Sequence, residues 1–357
     1  MLVHICCSVD SHFFLQQIQK DYPNETIIGF FYDPNIHPYS EYILRLEDVK
    51  YSCNKLGIEL IEGEYDFETW LDAVKGLENE PEKGDRCTVC FDKRLTTTLK
   101  KAISLKHNSF TTTLLMSPLK SQEKLQLIGE TLANQNNIEF IFKDYRSGQG
   151  MHIQAKEVKD NKIYRQNYCG CMYALNMQRD SQDKLCDELI SPINKQLLPQ
   201  SIQSRIELYK QRNILEEQQK EYKIIKEKFL NYRLLSAKVI VQKETIPSYF
   251  LCYSTLQNNK TQGRVEYVKD DINYLNKSEV KLLTLTTFNT LTNQNYKDVK
   301  QLIFNPISIE DEISLRATML KNFYDLSCVI ILDTIPNDKI NIFCDSKAYE
   351  DVKETII

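Results

Sequence analysis

The stretch LVHICCSVDSHFF, residues 2–14, places two adjacent cysteines and an aspartate between an apolar run and a helical pattern. The short apolar run over residues 2–5 predicts a buried strand, and the pattern over residues 11–20 predicts a helix. Cys6 and Cys7 therefore lie at a strand-to-helix turn. In open α/β sheets, ligands bind beyond the carboxyl ends of the strands. This turn is accordingly the first candidate for a functional site.

The first half of the chain repeats this alternation of strand and helix. Strands are predicted over residues 2–5, 26–32, 58–63, 109–115 and 138–142, and helices over residues 11–20, 40–57, 67–77, 88–105 and 121–136. Ser40 is the predicted N-cap of the second helix, and Gly57 is its predicted stop. Strands separated by helices of this length need crossover connections, which join parallel strands. We therefore predict an α/β fold with a doubly wound, Rossmann-like parallel sheet.

The second half, from about residue 180, has a different pattern. A charged helical pattern covers residues 202–236, and short strand-like runs separated by Asn and Asp follow from about residue 238. We find no catalytic motif there. The sequence therefore predicts a site-bearing domain over residues 1–180 and a C-terminal α+β appendage over residues 181–357, whose role stays unassigned.

Composition narrows the classes of function. The 357 residues carry a net charge of −4, so nucleic-acid binding would need a local basic patch. No apolar run approaches the ~18 residues that span a bilayer, and the N-terminus has no secretory signal pattern. We therefore expect a cytoplasmic protein without membrane contact. In a reducing cytosol, paired cysteines indicate metal binding or redox chemistry rather than structural disulfides.

Six of the eleven cysteines form three close pairs in the first half. The pairs are Cys6 with Cys7, Cys87 with Cys90, and Cys169 with Cys171. Two such pairs suffice for a four-cysteine zinc site, and an iron–sulfur cluster uses the same thiolate ligands. A Cys-x-Cys pair is harder to place in a plain zinc site and can close a strained, redox-active disulfide. The sequence alone allows either a zinc site or an iron–sulfur cluster. Three pairs together favour electron transfer.

Asp10, three residues after the second thiol, has two interpretations. A carboxylate at the start of a helix is a common N-cap. A hard oxygen ligand beside soft thiolates instead suits an iron centre with an open coordination position. The sequence leaves both interpretations open.

Five blocks of the first half, taken together, match the pattern of a known family. They are VHICCSVDS from residue 3, FYDPNIHPYSEYILRLE from residue 31, DRCTVCFDKRL from residue 85, FTTTLLMSPLKS from residue 110 and YRQNYCGCMYAL from residue 164. In this order and spacing they closely resemble the epoxyqueuosine reductases of the QueH type. The resemblance covers about residues 1–180, and the second half lies outside it.

The resemblance implies a reaction and its cofactors. Such enzymes reduce epoxyqueuosine to queuosine at the wobble position of tRNA, the last step of queuosine biosynthesis, without cobalamin. By motif, a [4Fe–4S] cluster would be held by Cys6, Cys7, Cys87 and Cys90. Cys169 and Cys171 would be the redox-active pair, and Asp10 would bind an additional mononuclear iron. Whether the pair cycles as a disulfide or ligates that iron stays open. The implied partners are tRNA and an electron donor that the sequence does not identify.

The segment SVDS, residues 8–11, also echoes the SGGxDS pyrophosphate loop of ATP-dependent tRNA thiolases. Close backbone approach to a pyrophosphate needs the glycines of that loop, which this chain lacks. We therefore predict a fold related to the PP-loop and HUP types without ATP use. Two alternative functions remain, an ATP-dependent tRNA thiolase of the PP-loop type and a non-catalytic zinc-binding protein.

The reaction and its substrate imply further residues. The oxygen that leaves the epoxide needs a proton, and the loop after the second strand offers His37, Tyr39 and Asp33, although His37 could equally be a loop residue satisfied by backbone. Candidate contacts to tRNA phosphates are Arg45, Arg86, Lys93, Arg94, Arg146 and Arg165. Candidate stacking partners for a splayed-out base are Tyr145, Tyr164 and Tyr168.

Overall fold

The computed structural model describes residues 1–194, 196–320, 322 and 325–357. The chain divides into two compact units. The first comprises Met1–Leu189 and Arg205–Tyr222, and the second comprises Ile190–Ser204 and Lys223–Ile357. Within the described ranges, none of the helices combines the length and the apolar character needed to span a membrane.

The first unit alternates strands and helices from its first residues. Its strands are β1 (Leu2–Ile5), β2 (Ile28–Phe31), β3 (Glu59–Glu62), β4 (Ser109–Thr112) and β5 (Glu139–Phe140). Its helices are α1 (Ser8–Asp21), α2 (Tyr39–Leu56), α3 (Phe67–Ala73), α4 (Asp85–Ser104), α5 (Gln122–Asn136), α6 (Gly150–Asp160) and α7 (Met172–Ser181). Short 3₁₀ helices cover Thr113–Met116 and Asp187–Leu189, and helix α8 (Ile202–Glu217) belongs to this unit from Arg205 onward.

The five strands form one parallel sheet in the order β3-β2-β1-β4-β5. This confirms the predicted doubly wound α/β fold. Strand β1 lies in the middle, with β2 on one side and β4 on the other, and all four of its residues are buried. The chain reverses its winding direction at β1, so the crevice beyond the carboxyl end of this strand is where such sheets bind ligands.

Two predicted features at the ends of α2 have different outcomes. Gly57 ends the helix in the left-handed region with φ of 66°, as predicted. Ser40 is not the N-cap, because the helix begins at Tyr39 and Pro38 occupies the cap position. Pro38 has a fixed φ and no backbone N–H, which suits a position where the N–H would have no intrahelical partner.

The second unit combines strands and helices without regular alternation. Its strands are β6 (Ile224–Val241), β7 (Glu244–Ile246), β8 (Tyr249–Phe250), β9 (Lys260–Gly263), β10 (Val265–Lys269), β11 (Ile272–Leu275), β12 (Val280–Thr284), β13 (Cys328–Leu332) and β14 (Ile340–Ile356). Its helices are α9 (Leu285–Thr292), α10 (Val299–Phe304) and α11 (Ile309–Leu320). One sheet has the order β10-β11-β12-β13-β8 and the other β7-β6-β14-β9. The predicted α+β class of this half is confirmed.

The helix predicted over residues 202–236 is wrong beyond Glu217. From Ile224 the chain forms the long strand β6, which pairs with β14 in antiparallel register from Ile224 with Ile356 to Val241 with Ile340. Side chains at the start of β6 alternate between exposed and half-buried, which is the period of a strand. The partner strand lies about a hundred residues or more away in sequence, so a local pattern of charge could not reveal it.

Candidate metal centre

The turn after β1 gathers two thiols and a carboxylate in the interior. The Cys6 Sγ lies 3.6 Å from the Cys7 Sγ and 3.8 Å from Oδ2 of Asp10. All three side chains are buried, and their potential ligand atoms lie within 4.8 Å of one another. Soft sulfur and hard oxygen ligands at such distances could together hold one metal ion.

Asp10 is not the N-cap of α1. The cap position belongs to Cys7, and Asp10 is the third residue of the helix. Its Oδ1 accepts a hydrogen bond of 3.1 Å from Nε2 of Gln154, and its burial raises the pKa of the carboxyl group against the hydrogen bonds that lower it. The capping interpretation is therefore wrong, and the carboxylate points toward the thiols instead.

The other two cysteine pairs lie at the starts of two helices. Cys87 and Cys90 are one turn apart in the first part of α4. Cys171 is the N-cap of α7, and Gly170 separates it from Cys169. Gly170 has φ of +103°, and a Cβ there would lie 2.8 Å from Cγ1 of Ile36. Only glycine fits this turn without strain.

Two cavities with a shared wall bring the three pairs together. The larger one, about 210 Å³, is lined by seventeen residues that include Cys6, Cys7, Asp10 and Cys169. The smaller one, about 20 Å³, is lined by ten residues that include Cys87, Cys90, Cys169 and Cys171. Cys169, Arg94 and Lys120 line both. The six cysteines singled out in the sequence thus surround one region.

The two thiols of the Cys-x-Cys pair differ in acidity. The hydrogen bond from Cys171 lowers the pKa of Cys169 to about 5, although burial opposes this, and the nearby Lys120 lowers it further. The same hydrogen bond raises the pKa of Cys171. All eleven cysteines lie in the described ranges and are free thiols, so the disulfide considered for this pair is not observed. One thiolate supported by one thiol is the form that ligates metal or attacks a sulfur.

Comparison with known proteins decides the family. The family model described as "Epoxyqueuosine reductase QueH" matches residues 1–177. A relative with the same description from Helicobacter pylori is 39% identical over 347 residues, which cover 93% of this chain and 94% of the relative. The chain belongs to the epoxyqueuosine reductase QueH family. The family name denotes an oxidoreductase.

Other members of the QueH family match only part of the chain. The relative from Thermotoga maritima is 36% identical over 188 residues, which cover 52% of this chain and 95% of the relative. The relative from Histophilus somni is 36% identical over 49% of this chain and 72% of its own length. Among solved structures, the U34-tRNA thiolase NcsA from Methanococcus maripaludis is 16% identical to this chain, with a TM-score of 0.34. The matched region covers 60% of this chain and 73% of NcsA. This similarity is too low to test the predicted relation to PP-loop folds.

His37 is not among the residues that line the two cavities around the QueH-type cysteines. Its ring stacks on Phe67 with the ring centroids 4.8 Å apart. Its backbone N–H donates to the carbonyl oxygen of Gly170, and its backbone carbonyl accepts a hydrogen bond from the hydroxyl of Tyr168. Tyr39 is 53% exposed. Of the three proton donors predicted from sequence, Asp33 alone is among the residues that line the larger cavity.

Lys120 is a site residue that the sequence analysis missed. It lines both cavities, and its side chain is only 11% exposed. Burial opposes its charge, but neighbouring Cys169 and Glu82 raise the pKa of the ammonium group. The signal was available, since Lys120 lies in the FTTTLLMSPLKS block of the QueH family pattern. That block follows β4, the strand beside β1.

Most of the basic residues predicted to contact tRNA have partners inside the protein. Arg45, Arg86 and Arg94 are at most 3% exposed, and they bond to carboxylates or backbone carbonyls. Arg146 donates to the carbonyls of three residues, and Lys93 pairs with Asp66. Arg165 is exposed and lines the larger cavity. The predicted stacking residues Tyr164 and Tyr168 are buried, and the hydroxyl of Tyr145 donates to Asp21.

Proposed function

We propose that the protein reduces epoxyqueuosine to queuosine in tRNA, independently of cobalamin, with electrons from a donor still to be identified. One observation carries the proposal. A chain of this family gathers three cysteine pairs and a buried carboxylate around two cavities that share a wall. The reaction would take place in the cytoplasm, where tRNA is modified.

The ligand atoms of this site, thiolate sulfur and carboxylate oxygen, suit iron. We assign the [4Fe–4S] cluster to Cys6, Cys7, Cys87 and Cys90, with Asp10 on an additional mononuclear iron and with Cys169 and Cys171 as the redox-active pair. Thiolates are the ligands of iron–sulfur clusters, and a carboxylate among them suits an iron with an open position. A second assignment fits the same residues, because the smaller cavity by itself is lined by four thiols, those of Cys87, Cys90, Cys169 and Cys171. Cys6, Cys7 and Asp10 would then hold the single iron.

The reaction consumes two electrons and two protons, because the epoxide becomes an alkene and its oxygen leaves as water. When bound, the metal centre supplies the electrons and a Lewis acid for that oxygen. The chain's own residues supply the protons and the positive charge that stabilises the departing oxygen. Lys120 keeps a buried ammonium group at the shared wall, where it can stabilise negative charge on the departing oxygen.

Asp33 is the proton donor that the geometry supports. One carboxylate oxygen is paired with Arg94, while Oδ2 has no hydrogen-bond partner among the described residues and the residue lines the larger cavity. Burial raises the pKa of Asp33 to about 6, although Arg94 lowers it. A carboxyl group with this pKa carries a proton for part of the time near neutral pH, as a general acid must.

This assignment predicts a pH dependence. The protonated form of Asp33 is the active one, so the single-turnover rate should be highest below pH 6 and fall as pH rises through the pKa of about 6. Asp33→Asn should lower the rate about 100-fold and remove this fall. His37→Gln should keep both the rate and the pH profile. If His37→Gln is the inactive variant, His37 is the donor, as the sequence had also allowed.

The substrate base must leave its stack to reach the thiols, as in other enzymes that act on a nucleic-acid base. The larger cavity is the proposed pocket for it. Arg165 and Asn167 are exposed and line this cavity, so they are the proposed contacts to the flanking tRNA backbone.

Single-turnover conversion tests the function. Anaerobically reconstituted protein, reduced with dithionite, is mixed with tRNA containing epoxyqueuosine, and the digested nucleosides are resolved by mass. We expect queuosine to form, and tRNA from a deletion strain to accumulate epoxyqueuosine. Colourless protein that holds zinc would instead support a zinc-binding protein, and ATP hydrolysis without formation of queuosine would support an ATP-dependent tRNA thiolase.

Asp10→Asn tests the carboxylate as a ligand. The amide oxygen can still accept the hydrogen bond from Gln154, but a neutral amide is a poorer ligand for iron. We expect Asp10→Asn to lose the additional iron during dialysis against a chelator, as measured by iron analysis, because the ligand itself is changed. Gln154→Ala keeps the carboxylate and removes only its supporting hydrogen bond, a loss that typically weakens metal binding about 10- to 100-fold, so it should lose less iron than Asp10→Asn. Equal iron retention in Asp10→Asn and wild type would show that Asp10 is not a ligand.

A further inference from the structure

Helix α8 contributes two arginines to the first unit, Arg205 and Arg212. They are seven residues apart, so they lie on one face of the helix. Both lie outside residues 1–177, the part that the family model matches. Each begins a series of contacts that ends next to one of the proposed site's cysteines.

Arg212 acts on the turn after β1. It is fully buried, and its Nη1 lies 2.5 Å from Oδ1 of Asp48 and 2.9 Å from the carbonyl oxygen of Lys162. The other oxygen of Asp48 accepts hydrogen bonds from the hydroxyl of Ser8 and the backbone N–H of Tyr164. Ser8 directly follows the second thiol of the first pair. A charge on α8 therefore stabilises the carboxylate that fixes this turn.

Arg205 acts on the Cys-x-Cys loop. Its Nη1 lies 3.4 Å from the hydroxyl of Tyr164, which donates to both oxygens of Glu41 at 3.2 Å. Glu41 accepts a hydrogen bond of 2.8 Å from Nε of Arg45. Arg45 then donates to the carbonyl of Cys169 at 3.2 Å and to that of the preceding tyrosine at 2.9 Å.

The two series meet at Tyr164, which bonds to Asp48 through its N–H and to Glu41 through its hydroxyl. All the side chains between the arginines and the thiol-bearing loops are buried. Buried charges have few alternative partners, so each contact constrains the next one strongly.

We propose that α8 is a positioning element of the metal centre, with Arg212 fixing the loop of Cys6 and Cys7 and Arg205 fixing that of Cys169. This positioning role rests on the proposed function only because it takes Cys6, Cys7 and Cys169 as reactive thiols. Thiol placement matters because displacements of about 1 Å at a reacting centre lower rates strongly.

Arg205→Met tests the positioning in the full-length chain. The side chain keeps its apolar length and loses the contact to Tyr164. We expect normal iron and sulfide content, an altered electron paramagnetic resonance spectrum after dithionite reduction, and an about tenfold lower single-turnover rate. The affinity for tRNA should stay unchanged. Tyr164→Phe should have the same effects, and the double variant should be no worse than either single one, because the two residues act in one series.

Two further variants serve as controls. Arg205→Lys keeps the charge and should keep the spectrum, whereas Lys210→Met removes an exposed charge from the same helix and should match wild type throughout. A wild-type spectrum and rate in Arg205→Met would overturn the proposal, and so would a loss of tRNA affinity at a normal rate. If the wild-type protein binds iron but does not convert the tRNA, the proposed function fails, while the spectra still decide the positioning.

Discussion

Replacing any one of Cys6, Cys7, Cys87 and Cys90 by Ala is expected to remove most of the iron and sulfide from the reconstituted protein. Each change deletes one thiolate ligand of the proposed cluster, and a cluster that needs four thiolates is not held stably by three. Iron and sulfide analysis after anaerobic desalting measures the loss. Cys53→Ala is the matched control, since Cys53 is buried in α2 away from the two cavities and should keep full iron content.

The Cys-x-Cys pair separates the two ligand assignments. If Cys169 and Cys171 are the redox-active pair, their Ser variants keep the cluster and lose conversion of the tRNA. If they complete the set around the smaller cavity, the same variants lose the cluster, and Cys6→Ala loses only the single iron. Wild-type iron content in all four Ala variants would refute both assignments.

The fold of the first unit was predictable because its signals are local. Each strand lies in a short predicted strand pattern, the first four strands are followed by a helical pattern, and Gly57 ends α2 where the sequence placed a stop. Parallel order then follows from the crossover connections. The cysteine pairs were equally visible, since their spacing is a property of neighbouring residues. The boundary predicted at residue 180 stays a prediction, although the compact first unit also includes residues 205–222.

The features that the sequence did not reveal depend on contacts between residues in different parts of the fold. The long strand β6 pairs with β14 from the far end of the chain, so its charged alternation was taken for a helix. Arg45 and Arg94 were predicted to contact phosphate because a sequence shows their charge and not Glu41 and Asp33, which neutralise it. Lys120 differs, because it lies in a family block that the sequence showed, and only its burial beside Cys87, Cys90 and Cys169 depended on the fold.

The contribution of α8 is the strongest case of such a distant partner, and Arg212→Met should show it as a loss of stability. Asp48 is 1% exposed and would keep a buried carboxylate without its cation. Breaking a buried ion pair from one side costs about 3–5 kcal/mol. Arg212 also stacks on Tyr51, with its guanidinium carbon 3.7 Å from the ring centroid, and Met retains part of that packing. The loss should therefore arise mainly from the unpaired charge.

The measurement uses the chain's single tryptophan. Trp70 is fully buried in the first unit, so its fluorescence during denaturant unfolding reports on that unit. The double variant Asp48→Asn with Arg212→Met should recover most of the stability, because a neutral amide oxygen still accepts from Ser8 and Tyr164 and no charge is left unpaired. Lys210→Met should change the free energy of unfolding by less than about 0.5 kcal/mol. A loss below about 1 kcal/mol in Arg212→Met would contradict the buried pair. If the double variant folds stably but its reduced spectrum still differs from wild type, the charge on α8 positions the thiols as well as stabilising the unit.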